Sequence, residues 1–383
     1  MNEHGDILVV GGGPVGTALA LGLERRGCAV TLLEARPVGG EDDARTLALS
    51  HGSRLLLERL GVWPLSPPAT PIMEINVTQR GGFGRVVLTA AEAGVPALGY
   101  VVEYGALQRA LGAALARGRV RVETGCAALD IGGDAHEARV TVSQDGAQRE
   151  LRGALAVVAD GGGALAPAPG ERRDYGQSAL VCDVASAEPH RYRAFERFTA
   201  EGPLALLPNA RGWALVWTTT PARAAALAAL DESDFCGQLR EAVGPALGAF
   251  NLRGPRHVFP LQLRVAATMT TPRCVLIGNA AQTLHPVAGQ GFNLGLRDAH
   301  ELARLIALHG MADAGAQQVL AAFLAKRRVD RGATIFFTDT LIRLFSNDIP
   351  QVSALRALGL AALASLPPAR KFVARRMIFG ARG

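Results

Sequence analysis

Four short runs of apolar residues frame the chain. Positions 7–10, 29–33, 155–158 and 274–277 hold almost no polar side chain, as strands buried on both faces of a parallel sheet require. Between the first two, residues 17–26 carry Ala18, Leu19, Leu21 and Leu23 at helical spacing. A Leu-rich helix is expected directly after Arg45, and another over 100–115, where Leu107, Leu111 and Leu115 recur every four residues. Strands at 120–123 and 138–142 flank a Gly-Gly-Asp turn. From 174 to 263 the pattern changes to alternation, over 179–184, 194–199, 204–207 and 213–219. That period of two predicts an antiparallel sheet with one apolar face, able to wall a pocket. A helix-like insert, 221–250, interrupts it after Thr-Thr-Thr-Pro. A helical pattern leaves from Phe292, and 299–383 is mostly helical.

The first strand runs into Gly11, Gly13 and Gly16 at G-x-G-x-x-G spacing, and the second ends in Glu34. In that setting the first glycine allows a tight turn, the second a close approach to pyrophosphate, and the third close helix–strand packing. The helix N-terminus offers N–H groups to the phosphate, and Glu34 is placed to accept hydrogen bonds from a ribose. The motif predicts a bound dinucleotide without separating FAD from NAD. The chain therefore reads as α/β, a Rossmann-like nucleotide-binding domain with an inserted antiparallel-sheet substrate domain and a C-terminal helical region. Residues 1–70, 98–170 and 272–310 are assigned to the first, 71–97 and 171–271 to the second, and 311–383 to the third.

Composition narrows the function. The 383 residues are 49% hydrophobic and 19% charged, the signature of a globular chain long enough for two or three domains. Only 5% are aromatic, which argues against stacking on nucleic acid. Cys28, Cys126, Cys182, Cys236 and Cys274 are scattered, without C-x-x-C, so neither a disulfide framework nor a zinc site is expected and a cytoplasmic, reducing setting fits. The histidines have no metal-like spacing. The net charge of +6 draws attention to the end of the chain. There Arg370, Lys371, Arg375, Arg376 and Arg382 alternate with apolar residues and no acid. Residues 369–383 thus read as a basic amphipathic tail, suited to peripheral contact with the inner face of a membrane or to packing on its own domain.

The segment 274–298, "CVLIGNAAQTLHPVAGQGFNLGLRD", is the most specific stretch. With "VVGGGPVGTALALGLERRG", "DARTLALSHGS", "ERFTAEGPLALLP" and "FTDTLIRLF" it resembles the flavin-dependent aromatic hydroxylases of the para-hydroxybenzoate hydroxylase type. Within them it is most similar to the ubiquinone-biosynthesis hydroxylases that act on a 2-polyprenyl-6-methoxyphenol. The resemblance spans nearly the whole chain. It implies that the nucleotide is FAD, reduced by NAD(P)H, and that O₂ reacts through a flavin hydroperoxide with a polyprenyl phenol. It also implies an association with a ubiquinone-biosynthesis complex.

By the same resemblance, Gly11, Gly13, Gly16 and Glu34 hold the ADP part of FAD, with Arg45 and Asp160 nearby. Asn279 stands where the wider family has an Asp on the ribityl chain. Pro286 lies beside the reactive flavin edge, and Gly291, Phe292 and Asn293 turn their backbone N–H groups to the pyrimidine. His285 and Pro286 are the candidates for a catalytic role at that edge. The family's Ser and Arg after Asp-Gly are here Ala164 and Pro167, which puts the details of nicotinamide use in question. Two alternatives follow: hydroxylation of another ring position or another apolar phenol, and a non-catalytic flavin-binding scaffold.

Overall fold

The computed structural model describes residues 7–36, 45–82, 84–162, 165, 170–345 and 350–381. At its centre Ile7–Val10 lies between Leu155–Val158 and Val30–Glu34, all parallel. Arg121–Thr124 and Cys274–Leu276 extend this sheet on its two sides, also in parallel. All four residues of Ile7–Val10 and of Leu155–Val158 are buried, which is why neither strand alternates.

Each face of the parallel sheet has its own cover. The helices Pro14–Glu24, Gln290–His309 and Gln317–Phe345 place Leu19, Leu23, Leu302, Ile306 and Phe323 on one face. On the other, the antiparallel meander Ala127–Gly133, Ala138–Gln144 and Ala147–Gly153 sets Ala138, Val140 and Val142 against Leu8, Val10 and Leu33. The first and third meander strands were absent from the sequence expectation, because neither has a continuous buried face: Leu129 and Asp130 are exposed in the first, and residues 147–150 in the third.

A second, larger sheet carries the order 282–283, 257–265, 171–186, 212–219, 202–209, 193–199, 74–79, 85–89. Its pairings are antiparallel apart from Arg193–Thr199 with Glu74–Gln79. One face packs Leu180, Leu204, Leu206, Leu215 and Trp217 under the helices Pro221–Ala229 and Glu232–Val243. Those helices divide the expected single insert in two, capped by Thr220 and Asp231. The opposite face of the sheet looks back toward the parallel sheet.

Two further boundaries correct the sequence reading. The residues just after Arg45 form a strand, Thr46–Ser50, and the helix begins only at His51. Ser50 Oγ accepts the Ser53 N–H and fixes that start. Likewise the expected helix 100–115 opens as a strand, Gly99–Glu103, paired with Thr46–Ser50, and turns helical at Tyr104. In both places strand pairing overrides a good helical pattern.

Candidate active site

One cavity of about 1340 Å³ runs between the two sheets. Gly11, Gly13, Glu34, Arg45, Asp160, Asn279, His285, Pro286, Gly291, Phe292 and Asn293 all line it. Gly16 does not reach the cavity: a Cβ there would lie 2.0 Å from the Gly11 carbonyl oxygen. It is a packing glycine. Gly11 has φ +108°, and a Cβ on it would meet the Ala159 carbonyl oxygen at 2.5 Å.

The Gly-rich end is built for an anion and a ribose. Gly13 caps Pro14–Glu24 with no side-chain hydrogen bond, so the first N–H groups of that helix have no side-chain cap. Nothing lies within 4 Å of a Cβ built on Gly13, which leaves the approach open. Glu34 Oε2 accepts the Gly12 N–H at 2.7 Å. Its Oε1 accepts from Arg36 N and Nε at 3.0 and 2.9 Å. Burial pushes the Glu34 carboxyl up, but Arg36 and the Gly12 N–H outweigh it and hold the group below its usual range. Gln108 Nε2 and Thr17 Oγ donate to the Gly12 carbonyl at 2.8 and 3.0 Å and stiffen the turn. Gln108 carried no signal in the sequence, since it comes from a helix 96 residues away.

The other end is the Pro286 turn. Val287–Gly289 forms a single 3-10 turn, and Gly289, at φ +59°, precedes Gln290–His309 without a side-chain cap. A second helix N-terminus thus points its N–H groups at the cavity. Beside the backbone N–H that the resemblance turns to the pyrimidine, the Asn293 side chain has a part of its own. The residue is 2% exposed and its side chain fully engaged. Oδ1 accepts from Ser50 N (2.8 Å) and Ser53 Oγ (2.7 Å), and Nδ2 donates to Ala48 O (3.0 Å) and Gly289 O (2.6 Å). It ties the helix start to the Thr46–Ser50 strand.

His285 is buried against Tyr175, edge to face at 5.5 Å. Its Nδ1 accepts the Val287 N–H at 3.1 Å, so the neutral ring carries its proton on Nε2. Burial pushes its pKa down to about 4. Near neutral pH this is a hydrogen-bond donor, and the geometry does not suit a general base. Asn279 is exposed in the 3-10 turn Gly278–Ala280. Asp160 accepts the Gly162 N–H at 3.2 Å. Ala164 and Pro167 lie outside the described residues.

Sequence reasoning missed the support beneath Asn279. Asp298 is fully buried and accepts from Gly278 N (3.1 Å), Gln282 Nε2 (2.9 Å) and Arg327 Nε (2.6 Å). Arg327 also donates to Asp330 at 2.7 Å, and Asp330 accepts from Arg297 at 2.8 Å. Burial pushes the Asp330 carboxyl up, yet Arg297 and Arg327 hold it below its usual range. This chain of charges locks the turn after Cys274–Leu276 to the helices behind it.

The residues fit FAD. Two uncapped helix starts, an open Gly13 and a Glu34 carboxylate line one cavity, and the remaining wall is apolar enough for a flat ring. Fold and site together define a flavin-dependent monooxygenase. Residues 4–336 match the family model described as FAD binding domain. Ubiquinone hydroxylase UbiL of Rhodospirillum rubrum is 34% identical over 97% of this chain and 88% of that protein. The 3-demethoxyubiquinol 3-hydroxylase of Escherichia coli is 33% identical over 94% of this chain and 95% of that one. Among solved structures, p-nitrophenol 4-monooxygenase PnpA of Pseudomonas putida superposes with a TM-score of 0.80 at 17% identity, covering 99% of both chains, a likeness of fold. The chain belongs to the FAD-binding-domain family of flavin monooxygenases, beside the ubiquinone hydroxylases.

Proposed function

We propose that this monooxygenase hydroxylates the ring of a polyprenylated methoxyphenol in ubiquinone biosynthesis, using NAD(P)H and O₂. The observation that carries the reading is the continuity of the cavity. It passes from the Gly-rich turn to the Pro286 turn and on to a wall of Ile75, Val77, Leu88, Phe198, Leu341 and Leu360. An apolar ring with a long prenyl tail suits that wall. FAD, when bound, supplies the redox chemistry that activates O₂. The chain contributes the rest. Helix N–H groups complement negative charge at the Gly289 end, Pro286 forms a rigid edge without an N–H, and apolar side chains keep water out. Gly11, Gly13, Glu34, Arg45, Asp160 and Asn279 hold the nucleotide and ribityl portions in this reading, with Gly291, Phe292 and Asn293 at the ring.

The activity in the name of the Escherichia coli relative favours a second substrate, a demethoxyubiquinol hydroxylated at another ring position. The wider assignment to ubiquinone biosynthesis covers both, and a place in a ubiquinone-biosynthesis complex extends it.

Peripheral membrane contact belongs to the same proposal. No helix among the described residues is long and apolar enough to cross a membrane. The helices Pro350–Ser365 and Pro367–Phe379 put Leu360, Leu363, Val373 and Met377 on the cavity. Leu358 and Phe372 on the same helices, and Leu366 between them, are each more than half exposed. Within the basic tail the helix Pro367–Phe379 is docked, with Arg370 paired to Glu92 and Ala374 and Ile378 buried, so only its outer side is left for lipid; Arg382 lies outside the described residues. A prenyl substrate could pass from lipid to cavity between these helices. The test adds the purified protein to anionic vesicles carrying the polyprenyl phenol. It is expected to float with them and to oxidise NAD(P)H faster when the phenol is present. Protein left in the aqueous fraction removes the membrane contact, and phenol-independent oxidation removes the hydroxylase assignment.

A further inference from the structure

The cavity's apolar sheet wall contains one carboxylate. In Arg193–Thr199 the period of two puts Ala194, Glu196 and Phe198 on one face, and all three line the cavity; Phe195, which also touches it, packs against the core under the helices. Glu196 stands opposite Val77 on one neighbouring strand and Ala205 on the other. Its Oε1 is buried without a hydrogen-bond partner among the described residues. The side chain is half-buried, and Glu196 is among the residues that line the cavity. With protein around it, burial pushes its pKa up to about 7. The charged or titratable groups lining the rest of the cavity sit elsewhere. Glu34, Arg36, Arg45, Tyr104, Cys126 and Asp160 belong to the nucleotide end. His285 comes from the Pro286 turn and Arg356 from the helix Pro350–Ser365. Among the described residues none of them forms an ion pair with Glu196.

Oxygen transfer to a phenol ring is electrophilic. The ring attacks faster as its O–H proton departs, so the site needs an acceptor at the phenol oxygen. His285 does not supply one, because Nδ1 is occupied and Nε2 carries the proton. An unpaired carboxylate in an apolar wall is the group that gains from a phenol donor. We propose that Glu196 accepts the substrate's phenol hydrogen bond and then its proton during oxygen transfer, an inference that rests on the phenol-hydroxylase reading. The O–H bond breaks, its electron pair stays on oxygen and flows into the ring, and a ring carbon bonds one oxygen atom of O₂ as the O–O bond breaks, the other oxygen leaving as water with the two electrons that NAD(P)H supplies. Glu196 returns its proton to the phenol oxygen as that ring carbon loses its hydrogen to water as a proton and aromaticity is restored. The sum is phenol, O₂, NAD(P)H and a proton giving hydroxylated product, NAD(P)⁺ and water. The wild-type hydroxylation rate is therefore expected to rise with pH as Glu196 ionises and to level off above about 7.

The test compares wild type with Glu196→Gln and Glu196→Leu, all carrying FAD. Glu196→Gln is expected to lower kcat for hydroxylation by about 10²- to 10⁴-fold, with KM changed little, and to lose the rising pH limb. Its NAD(P)H oxidation continues and releases hydrogen peroxide instead of product. A second readout needs no turnover: calorimetric titration with the phenol and with its methyl ether. Wild type is expected to prefer the phenol about tenfold, and Glu196→Leu, which suits the apolar wall, to bind both alike. A Glu196→Gln enzyme with wild-type coupled rate and pH profile overturns the assignment. So does a Glu196→Leu protein that keeps the preference. Wild type that neither binds nor hydroxylates the phenol overturns the functional reading itself, and the assignment with it.

Discussion

Asp298→Ala is expected to yield a protein that melts roughly 4–6 °C lower than wild type and is purified without yellow colour. The substitution removes the acceptor for Gly278 N, Gln282 Nε2 and Arg327 Nε together. Arg327 is 5% exposed and would keep only Asp330 as an ionic partner. Breaking a buried pair on one side typically costs about 3–5 kcal/mol, because the remaining charge stays desolvated. At about 2.1 cal/mol/K of unfolding entropy per residue, each kcal/mol moves the melting temperature of a chain this long by only about 1.2 °C. The colour follows from the same contacts, since the freed Gly278 turn carries Asn279 on the cavity. Asp298→Asn keeps an acceptor for Gly278 N and is expected to fall between the two. Calorimetry and the ratio of visible to ultraviolet absorbance check both effects. A fully coloured Asp298→Ala protein with an unchanged melting temperature would show that the network does not hold the turn.

Gly16→Ala is expected to abolish FAD retention. The new methyl would sit 2.0 Å from the Gly11 carbonyl oxygen and 3.2 Å from Ala159 Cβ. The first contact is with backbone, so no rotamer relieves it. Either the helix Pro14–Glu24 withdraws from the sheet or the Gly11 turn opens, and both spoil the anion cradle at Gly13. An alanine at Gly13 meets nothing within 4 Å in the protein itself. Gly13→Ala is therefore expected to fold normally and to weaken FAD binding only, which separates a packing glycine from an approach glycine. Dialysis followed by a fluorescence titration with FAD distinguishes them. Equal FAD affinity in wild type and Gly16→Ala would contradict the packing argument.

What the sequence made legible is local. Gly11, Gly13, Gly16 and Glu34 fall within one strand–helix–strand unit, so spacing alone carried the motif. The alternation of the second sheet was equally plain, because one of its faces is buried under helices. Thr46–Ser50 was hidden because its reason for being a strand, Gly99–Glu103, lies some fifty residues on. The parts of Asn293 and Asp298 were hidden likewise. Asn293 closes onto Ser50, 243 residues away, and Asp298 onto Arg327. Glu196 did leave a trace. A charged residue in the apolar phase of Ala194-x-Glu196-x-Phe198 breaks the alternation, and that break is a signal for a functional side chain.

The central claim is that one cavity brings a flavin and an apolar phenol together for insertion of one oxygen atom. The most direct measurement is the mass and ring position of the product formed by the purified protein under ¹⁸O₂ with NADPH. Short-chain prenyl forms of the methoxyphenol and of the demethoxyquinol serve as substrates. The account predicts one ¹⁸O atom in the ring of at least one product, with the substituted position naming the true substrate. NADPH consumed entirely as hydrogen peroxide with both substrates, by protein fully loaded with FAD, would contradict it.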